Sequence, residues 1–154
     1  MFPGGIMRYP RLSTICILVL WGFPATAQPD KPNLSGIWKL NVAQSEIHSP
    51  GNAEETLEIE HKDLRIHVIM ASKTSDGKET KLEFRCSIDG KDCDTGQSKV
   101  SLWFQGSALI LMDVGADMVT KSSMKLGPNG KTLSMNVTHI SPPADQDKLL
   151  FEKP

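Results

Sequence analysis

The sequence lacks an excess of charge of either sign. Its 17 Lys and Arg residues nearly balance its 18 Asp and Glu residues, which gives a formal net charge of −1 with histidine neutral. A nucleic-acid or anionic-membrane partner would require a concentrated basic face, and the charges here are evenly mixed. We therefore expect neither class of partner.

Long apolar runs are also missing, with one exception near the N-terminus. Residues 15–23 (ICILVLWGF) follow Arg8 and Arg11 and precede the small residues of Pro24-Ala25-Thr26-Ala27. This order is typical of a secretory signal peptide. The run is about half of the roughly 20 residues that span a bilayer, which argues against a membrane anchor. The sequence predicts a signal peptide over residues 1–27, cleaved after Ala27, a secreted or periplasmic location, and no integral membrane segment after cleavage.

The remaining chain is short enough for one domain. Removal of the signal would take two of the 17 Lys and Arg residues and none of the 18 Asp and Glu residues, leaving residues 28–154 with a net charge of −3. Two prolines near its start predict a flexible leader over residues 28–34, followed by a single domain over 35–153. We expect this domain to be monomeric.

Cysteine is scarce, and one of the three cysteines, Cys16, lies in the signal peptide. Cys86 and Cys93 flank an Asp89-Gly90 turn, and in an oxidising compartment such a pair most simply forms a disulfide. A loop of two or four residues would set them opposite each other. Two thiols without a nearby His or third Cys do not complete a tetrahedral metal site. We expect a disulfide and no metal.

Helical periodicity is absent after residue 35, where apolar residues recur with period two between Asp-Gly and Asn-Gly turns. This pattern predicts an all-β fold, an up-and-down antiparallel meander of about eight or nine strands. No amphipathic helix is long enough to cover the sheet, so we expect a closed or nearly closed barrel. The polar segment from Ala43 to Ala53 leaves two interpretations open, a short turn of helix or a lid near the mouth.

The registers of three hairpins follow from sorting apolar and charged side chains onto opposite faces. A turn at Lys62-Asp63 predicts the pairs Leu57–Val68, Ile59–Ile66, Glu60–Arg65 and Glu58–His67. A three-residue loop with a left-handed Gly77 predicts Met70–Leu82 and Val68–Phe84. A loop from Gly127 to Thr132 predicts Leu126–Leu133, Met124–Met135 and Ser122–Val137.

The first strand opens with Ser35-Gly36-Ile37-Trp38-Lys39-Leu40, which resembles the Gly-x-Trp start of lipocalin-like barrels; avidins begin a similar strand. Repeated Asp-Gly-Lys or Asn-Gly-Lys turns and a terminal Phe-Glu-Lys extend the similarity, over about 35–153, to small secreted lipocalin-like proteins of environmental bacteria. The resemblance implies that Trp38 plugs the closed end of a barrel and that Gly36 lets the chain pass close beneath it.

The sequence differs from lipocalins and avidins at residues that these families use, so the resemblance does not predict which class of ligand this chain binds. True lipocalins carry a Thr-Asp-Tyr turn and a late arginine that packs over the tryptophan, whereas this chain lacks the turn and has its last arginine at Arg85. Biotin binding of the avidin type would need several further aromatic residues, and only Trp103 accompanies Trp38.

No catalytic constellation emerges. Of the four histidines, His48 has no assigned partner, His61 ends a strand and His67 lies on the charged face, while His139 alternates with inward residues and is interpreted as a core histidine rather than a base. No serine lies in a nucleophile elbow, and Glu54-Glu55 is interpreted as a solvated loop end. We expect no enzyme activity and no cofactor.

The inward-facing residues are rich in methionine, which adapts to irregular ligands. An ordinary filled core is one interpretation, whereas the hydroxyls of Thr120 and Ser122 favour a wet or ligand-filled cavity. The predicted ligand-lining set is Met70, Leu82, Phe84, Leu102, Met118, Thr120, Ser122, Met124 and Met135.

Two functions remain as hypotheses. One is an extracytoplasmic barrel that binds a small apolar or amphipathic molecule; the other is a secreted interaction or inhibitor-type barrel with a filled core and no ligand. A cavity of at least roughly 300 Å³ would favour the first, and a solid interior the second.

Overall fold

The computed structural model describes residues 31–49 and 52–154, without the side chain of Asn52. The predicted signal peptide and residues 28–30 of the predicted leader lie outside the described residues. Leu34, the last residue of that leader segment, is completely buried. The packed barrel therefore includes the residue just before the predicted domain start.

The described chain forms ten antiparallel strands, and the predicted all-β meander is confirmed. The strands are β1 (Gly36–Leu40), β2 (Asn52–Lys62), β3 (Arg65–Thr74), β4 (Glu79–Ser87), β5 (Asp92–Asp94), β6 (Lys99–Gln105), β7 (Ala108–Val114), β8 (Val119–Leu126), β9 (Thr132–Ser141) and β10 (Asp147–Glu152). Alternation explains them: in β2, Leu57 and Ile59 are buried while Glu58 and Glu60 are exposed. The additional strand, compared with the eight or nine expected, is β5. It has three residues and little apolar pattern. Part of the polar 43–53 segment forms a short 3₁₀ turn, Val42–Gln44.

The sheet closes through its first and last strands. The strand order is β4-β3-β2-β1-β10-β9-β8-β7-β6-β5, with β1 paired to β10. Strands that follow each other in the chain are therefore hydrogen-bonded neighbours except β4 and β5, which form the two edges. These edges face each other, so the barrel is nearly closed.

The Cys86–Cys93 disulfide joins the two edges, and its prediction is confirmed. The loop between β4 and β5 has four residues, 88–91, one of the two even lengths expected. The two strands share no hydrogen-bonded ladder; Ile88 N–H instead donates to the Leu64 carbonyl at 2.7 Å and Gly90 N–H to the Leu102 carbonyl at 2.8 Å. The disulfide is therefore a covalent link across the gap in the barrel, with the cysteine Cα atoms 5.8 Å apart.

Two of the three predicted registers are confirmed. The β3–β4 hairpin pairs Met70 with Leu82 and Val68 with Phe84, and Gly77 has a φ of +86° as its three-residue loop requires. The β8–β9 hairpin has all three predicted pairs, Leu126–Leu133, Met124–Met135 and Ser122–Val137.

The predicted register of the β2–β3 hairpin is wrong by two residues. Lys62 pairs with Arg65, so the turn is Asp63-Leu64, and the observed pairs are Leu57–Met70, Ile59–Val68, Glu60–His67 and His61–Ile66. Asp63 has a φ of +55°, a left-handed conformation that aspartate tolerates better than most residues. Every residue keeps its predicted face because a shift of two preserves the alternation.

Candidate functional site

The interior of the barrel holds a cavity of about 240 Å³. Its apolar wall consists of residues from eight strands, the segment before β2 and the residue before β8, namely Ile47, Leu57, Ile59, Val68, Met70, Leu82, Phe84, Val100, Leu111, Met118, Met124, Met135, Val137 and Leu149. The volume lies slightly below the roughly 300–1,000 Å³ of pockets for drug-sized ligands. The interior is therefore neither solid nor spacious.

Eight of the nine residues predicted to line a lumen contact this cavity: Met70, Leu82, Phe84, Met118, Thr120, Ser122, Met124 and Met135. The exception is Leu102, which is completely buried within the apolar core and does not line the cavity. Leu102 pairs with Leu111, whose side chain does reach the cavity.

Successive layers of side chains inside the barrel change from apolar to polar. Neighbouring strands place Leu109, Met124 and Met135 side by side in one layer. Two residues farther along each strand lie Leu111, Ser122 and Val137, and the next layer brings Asp113, Thr120 and His139 together. The polar lining residues, including Ser49, Glu55 and Asp147, thus give the cavity a polar end opposite its apolar one.

Asp147 lies at the polar end and is 3% exposed. Its Oδ1 accepts the backbone N–H groups of His48 at 2.6 Å and Ser49 at 3.0 Å. Its Oδ2 accepts the Ser49 hydroxyl at 2.6 Å and lies 3.1 Å from Nε2 of His139. Burial raises the pKa of Asp147, but the hydrogen bonds from Ser49, His48 and His139 outweigh it and lower the pKa to about 2.

These bonds fasten the segment that precedes β2 to β10. Glu46 adds a backbone bridge to Lys148, with N–H to carbonyl distances of 2.8 Å in both directions, and an ion pair of 2.8 Å between the two side chains. Ile47 and Ser49 consequently line the cavity. Asp147 therefore positions one wall of the site.

Asp113 differs from Asp147 in having an unmet acceptor. Its Oδ1 is buried yet has no hydrogen-bond partner among the described residues. A buried acceptor without a partner costs about 1–3 kcal/mol. Glu55, interpreted from sequence as part of a solvated loop end, is 5% exposed and also lines the cavity; that interpretation is wrong because Glu55 shares the inward face of Leu57 and Ile59.

The cavity meets the surface beside Met118. Ser49, Met118 and His139 line both the cavity and an adjoining surface depression that also contains Pro142 and Pro143. Met118 is 54% exposed. This position at the boundary gives the cavity a mouth bordered by a flexible thioether side chain.

The other end of the barrel is filled by Leu34 and Trp38, which are both completely buried. The indole Nε1–H of Trp38 donates to the Leu34 carbonyl at 3.0 Å. Leu34 N–H donates to Nδ1 of His61 at 3.3 Å, and the other ring nitrogen of His61 lies 3.0 Å from the Asp63 carbonyl. His61 therefore has a structural role, with the proton on Nε2, and the imidazole ring is unavailable to the cavity.

Lys153 lies over Trp38, with its Nζ 4.7 Å from the ring centroid. A Cβ on Gly36, whose φ is +150°, would lie 2.8 Å from Cε of Lys153 and 3.6 Å from Cε2 of Trp38. Gly36 thus makes room for both side chains. The resemblance to lipocalins predicts a late arginine at this position, and the lysine of the terminal Phe-Glu-Lys occupies it instead.

Two of the remaining histidines, His67 and His139, are each paired with carboxylates. His67 lies on the outer face between Glu60 at 3.2 Å and Glu83 at 2.9 Å, as predicted for a residue on the charged face. His139 points inward and its imidazole is paired with Asp147. Within residues 31–49 and 52–154, no group of three or more His, Cys, Asp and Glu side chains is placed to hold a metal ion. No helix in the same residues has the length and apolarity to cross a membrane.

Comparison with solved structures identifies the fold as lipocalin-like. The fluorescent protein UnaG has a TM-score of 0.56 at 17% identity, with 78% of this chain and 96% of UnaG covered. Secretory abundant heat soluble protein 4 from Ramazzottius varieornatus has a TM-score of 0.54 at 15% identity, with 84% and 97% covered. No protein-family model matches the sequence, and no match is found among curated proteins. At these identities the similarity establishes the barrel and carries no ligand with it.

Proposed function

We propose that this protein is a small-molecule-binding barrel that works outside the cytoplasm and holds an apolar or amphipathic ligand in its interior. The observation that carries the proposal is the cavity of about 240 Å³, which has an apolar wall, a polar end and a mouth beside Met118. Ligand sites typically combine a mostly apolar lining with a few convergent polar groups.

The methionines support a ligand somewhat larger than the cavity itself. Met70, Met118, Met124 and Met135 line it, and an unbranched thioether side chain can change rotamer to enlarge an apolar site. The alternative is an interaction protein with a filled core. Such a protein would need neither an interior cavity nor a buried carboxylate oxygen without a hydrogen-bond partner, such as Oδ1 of Asp113.

Export is the second part of the proposal. The signal peptide predicted over residues 1–27 and the Cys86–Cys93 disulfide support an oxidising, extracytoplasmic location. We place the protein with the small secreted lipocalin-like proteins of bacteria, as a monomer that binds and does not catalyse. Mass spectrometry of the protein exported from a bacterial host expressing the full chain tests this location. A mature N-terminus at Gln28 is expected, whereas an intact residue 1 in exported protein would contradict cleavage.

Binding can be tested with the neutral apolar fluorophore N-phenyl-1-naphthylamine. Ser122 faces the cavity and Ser123 is the next residue of β8, on the other face. Ser122→Phe would fill the cavity, whereas Ser123→Phe is a matched control with the same added ring. We expect saturable one-to-one fluorescence enhancement in the wild type and in Ser123→Phe, and none in Ser122→Phe. No binding by the wild type, or equal binding by Ser122→Phe, would refute binding in the cavity.

A further inference from the structure

The charge of the cavity lining is entirely acidic apart from one histidine. Three carboxyl groups, those of Glu55, Asp113 and Asp147, line it, and none of its lining residues is Lys or Arg. The chain as a whole is almost balanced, with 17 basic and 18 acidic residues. The acidic interior is therefore a local feature of the site and does not reflect overall composition.

Asp147 and Asp113 differ in how many hydrogen-bond partners the protein supplies to their carboxylates. Asp147 accepts three hydrogen bonds from the 48–49 segment and contacts His139, so its charge is compensated within the protein. Asp113 lies two strands away from His139, with Thr120 between them in the register, and its buried Oδ1 has no partner among the described residues. Asp113 is thus the acceptor that a ligand can satisfy.

We infer that the cavity selects molecules with a cationic head, such as a primary ammonium on a short apolar chain, and that Asp113 is the counter-charge. This inference rests on the proposed function. The ammonium donates to the Asp113 carboxylate, while the chain lies against the methionine-rich wall formed by residues such as Met124 and Met135. Hydrogen bonds between charged partners are stronger than neutral ones, and the low local dielectric of a protein interior strengthens them further.

The same lining disfavours anionic ligands. A carboxylate head would lose its hydration, find no basic side chain in the cavity, and lie near like charges, all of which oppose burial of the charged form. A neutral alcohol would bury the same chain without either the attraction or the repulsion. Octylammonium, octanol and octanoate therefore separate the head-group effect from the hydrophobic one.

The experiment is displacement of bound N-phenyl-1-naphthylamine by these three octyl compounds at pH 7. The expected order is octylammonium, then octanol, then octanoate, with octylammonium about tenfold tighter than octanol, a difference of about 1.4 kcal/mol. Asp113→Asn keeps the shape and removes the charge, so it should abolish the preference for octylammonium and leave octanol unchanged. Asp117→Asn, on an exposed turn outside the cavity lining, is the control of equal charge change and should behave as the wild type.

The outcomes separate this inference from the proposed function. If octanol displaces the probe but octanoate binds as well as octylammonium, the cavity binds ligands and the inferred charge selection is wrong. Retention of the octylammonium preference in Asp113→Asn would likewise overturn the role of Asp113. The order of the three compounds in the wild type tests the selection without any variant, should Asp113→Asn not fold. Failure of the fluorophore and all three compounds to bind would refute the proposed function itself.

Discussion

Asp147 should stabilise the barrel strongly because its carboxylate is buried and yet holds its negative charge. Its pKa of about 2, against an ordinary 3.8, corresponds to about 2 kcal/mol of stability at neutral pH, at 1.36 kcal/mol per unit. The pKa is lower in the folded state, so this contribution is present above pH 3.8 and is lost as the pH falls toward 2. At pH 3 about half of it remains.

The perturbation is Asp147→Asn, which retains an oxygen acceptor but removes the charge. Urea unfolding of residues 28–154 with the disulfide intact should show the variant about 2 kcal/mol less stable at pH 7, and the difference should fall to about half at pH 3. Hydrogen exchange should quicken at the amides of His48 and Ser49, which donate to the Asp147 carboxylate. Asp145→Asn, at an exposed position in the preceding loop, provides the control.

The comparison between variants matters because other carboxyl groups titrate in the same range. Hydrogen bonds from Lys148 to Glu46, from Thr74 to Asp76, and from His67 to Glu83 lower the pKa of each of these exposed carboxyls. The acid response of the wild type alone therefore sums several groups. Equal stability of Asp147→Asn and wild type at pH 7, or a difference that is the same at pH 7 and pH 3, would refute the reasoning.

Three further sets of substitutions test how the barrel is held together, each by urea unfolding at pH 7. Replacing both Cys86 and Cys93 with alanine should cost about 2.5 kcal/mol through the entropy of the short loop they close, and unchanged stability would show that the link across the sheet edges adds nothing. Leu34→Ala should cost about 3 kcal/mol because the side chain is completely buried, while Leu64→Ala, 51% exposed in the wild type, should change stability by less than about 0.5 kcal/mol; similar effects of the two would contradict a packed closed end. Lys153→Met should cost about 0.5–1 kcal/mol and Lys153→Arg much less, since the cation over the tryptophan ring is retained; equal losses would argue against the cation–ring contact.

Turn chemistry and alternation made the fold predictable from the sequence. Gly77 admits the left-handed backbone that its loop requires, and the resulting register was correct. In the β2–β3 hairpin, however, two registers differing by two residues place every side chain on the same face. Charge pairing favoured the Lys62-Asp63 turn, whereas the observed turn has Asp63 at its first position, with a φ of +55°. Side-chain sorting alone cannot distinguish these alternatives.

The apolar wall of the candidate site was predictable for the same reason, because inward positions on a strand are two residues apart. The polar end was not, since it depends on contacts between distant parts of the chain. Asp147 meets Ser49 across 98 positions of sequence, and no local pattern announces that contact. Glu55 and Asp113 carry a weaker signal, as each continues the inward alternation of its strand, β2 and β7, with a charged residue.

The two ends of the interior have opposite energetic roles. At the closed end, Trp38 and Leu34 are completely buried and the indole N–H is bonded, so hydrophobic burial and hydrogen bonding both stabilise the fold. At the other end, Asp113 holds a buried oxygen without a partner, which lowers stability. A barrel selected only for a stable core would have a side chain without a buried, unpaired oxygen there, because leaving such an acceptor unpaired costs stability. Local departures from good packing and pairing occur preferentially at functional sites. The cost at Asp113 is therefore evidence that this end of the cavity is adapted to a ligand.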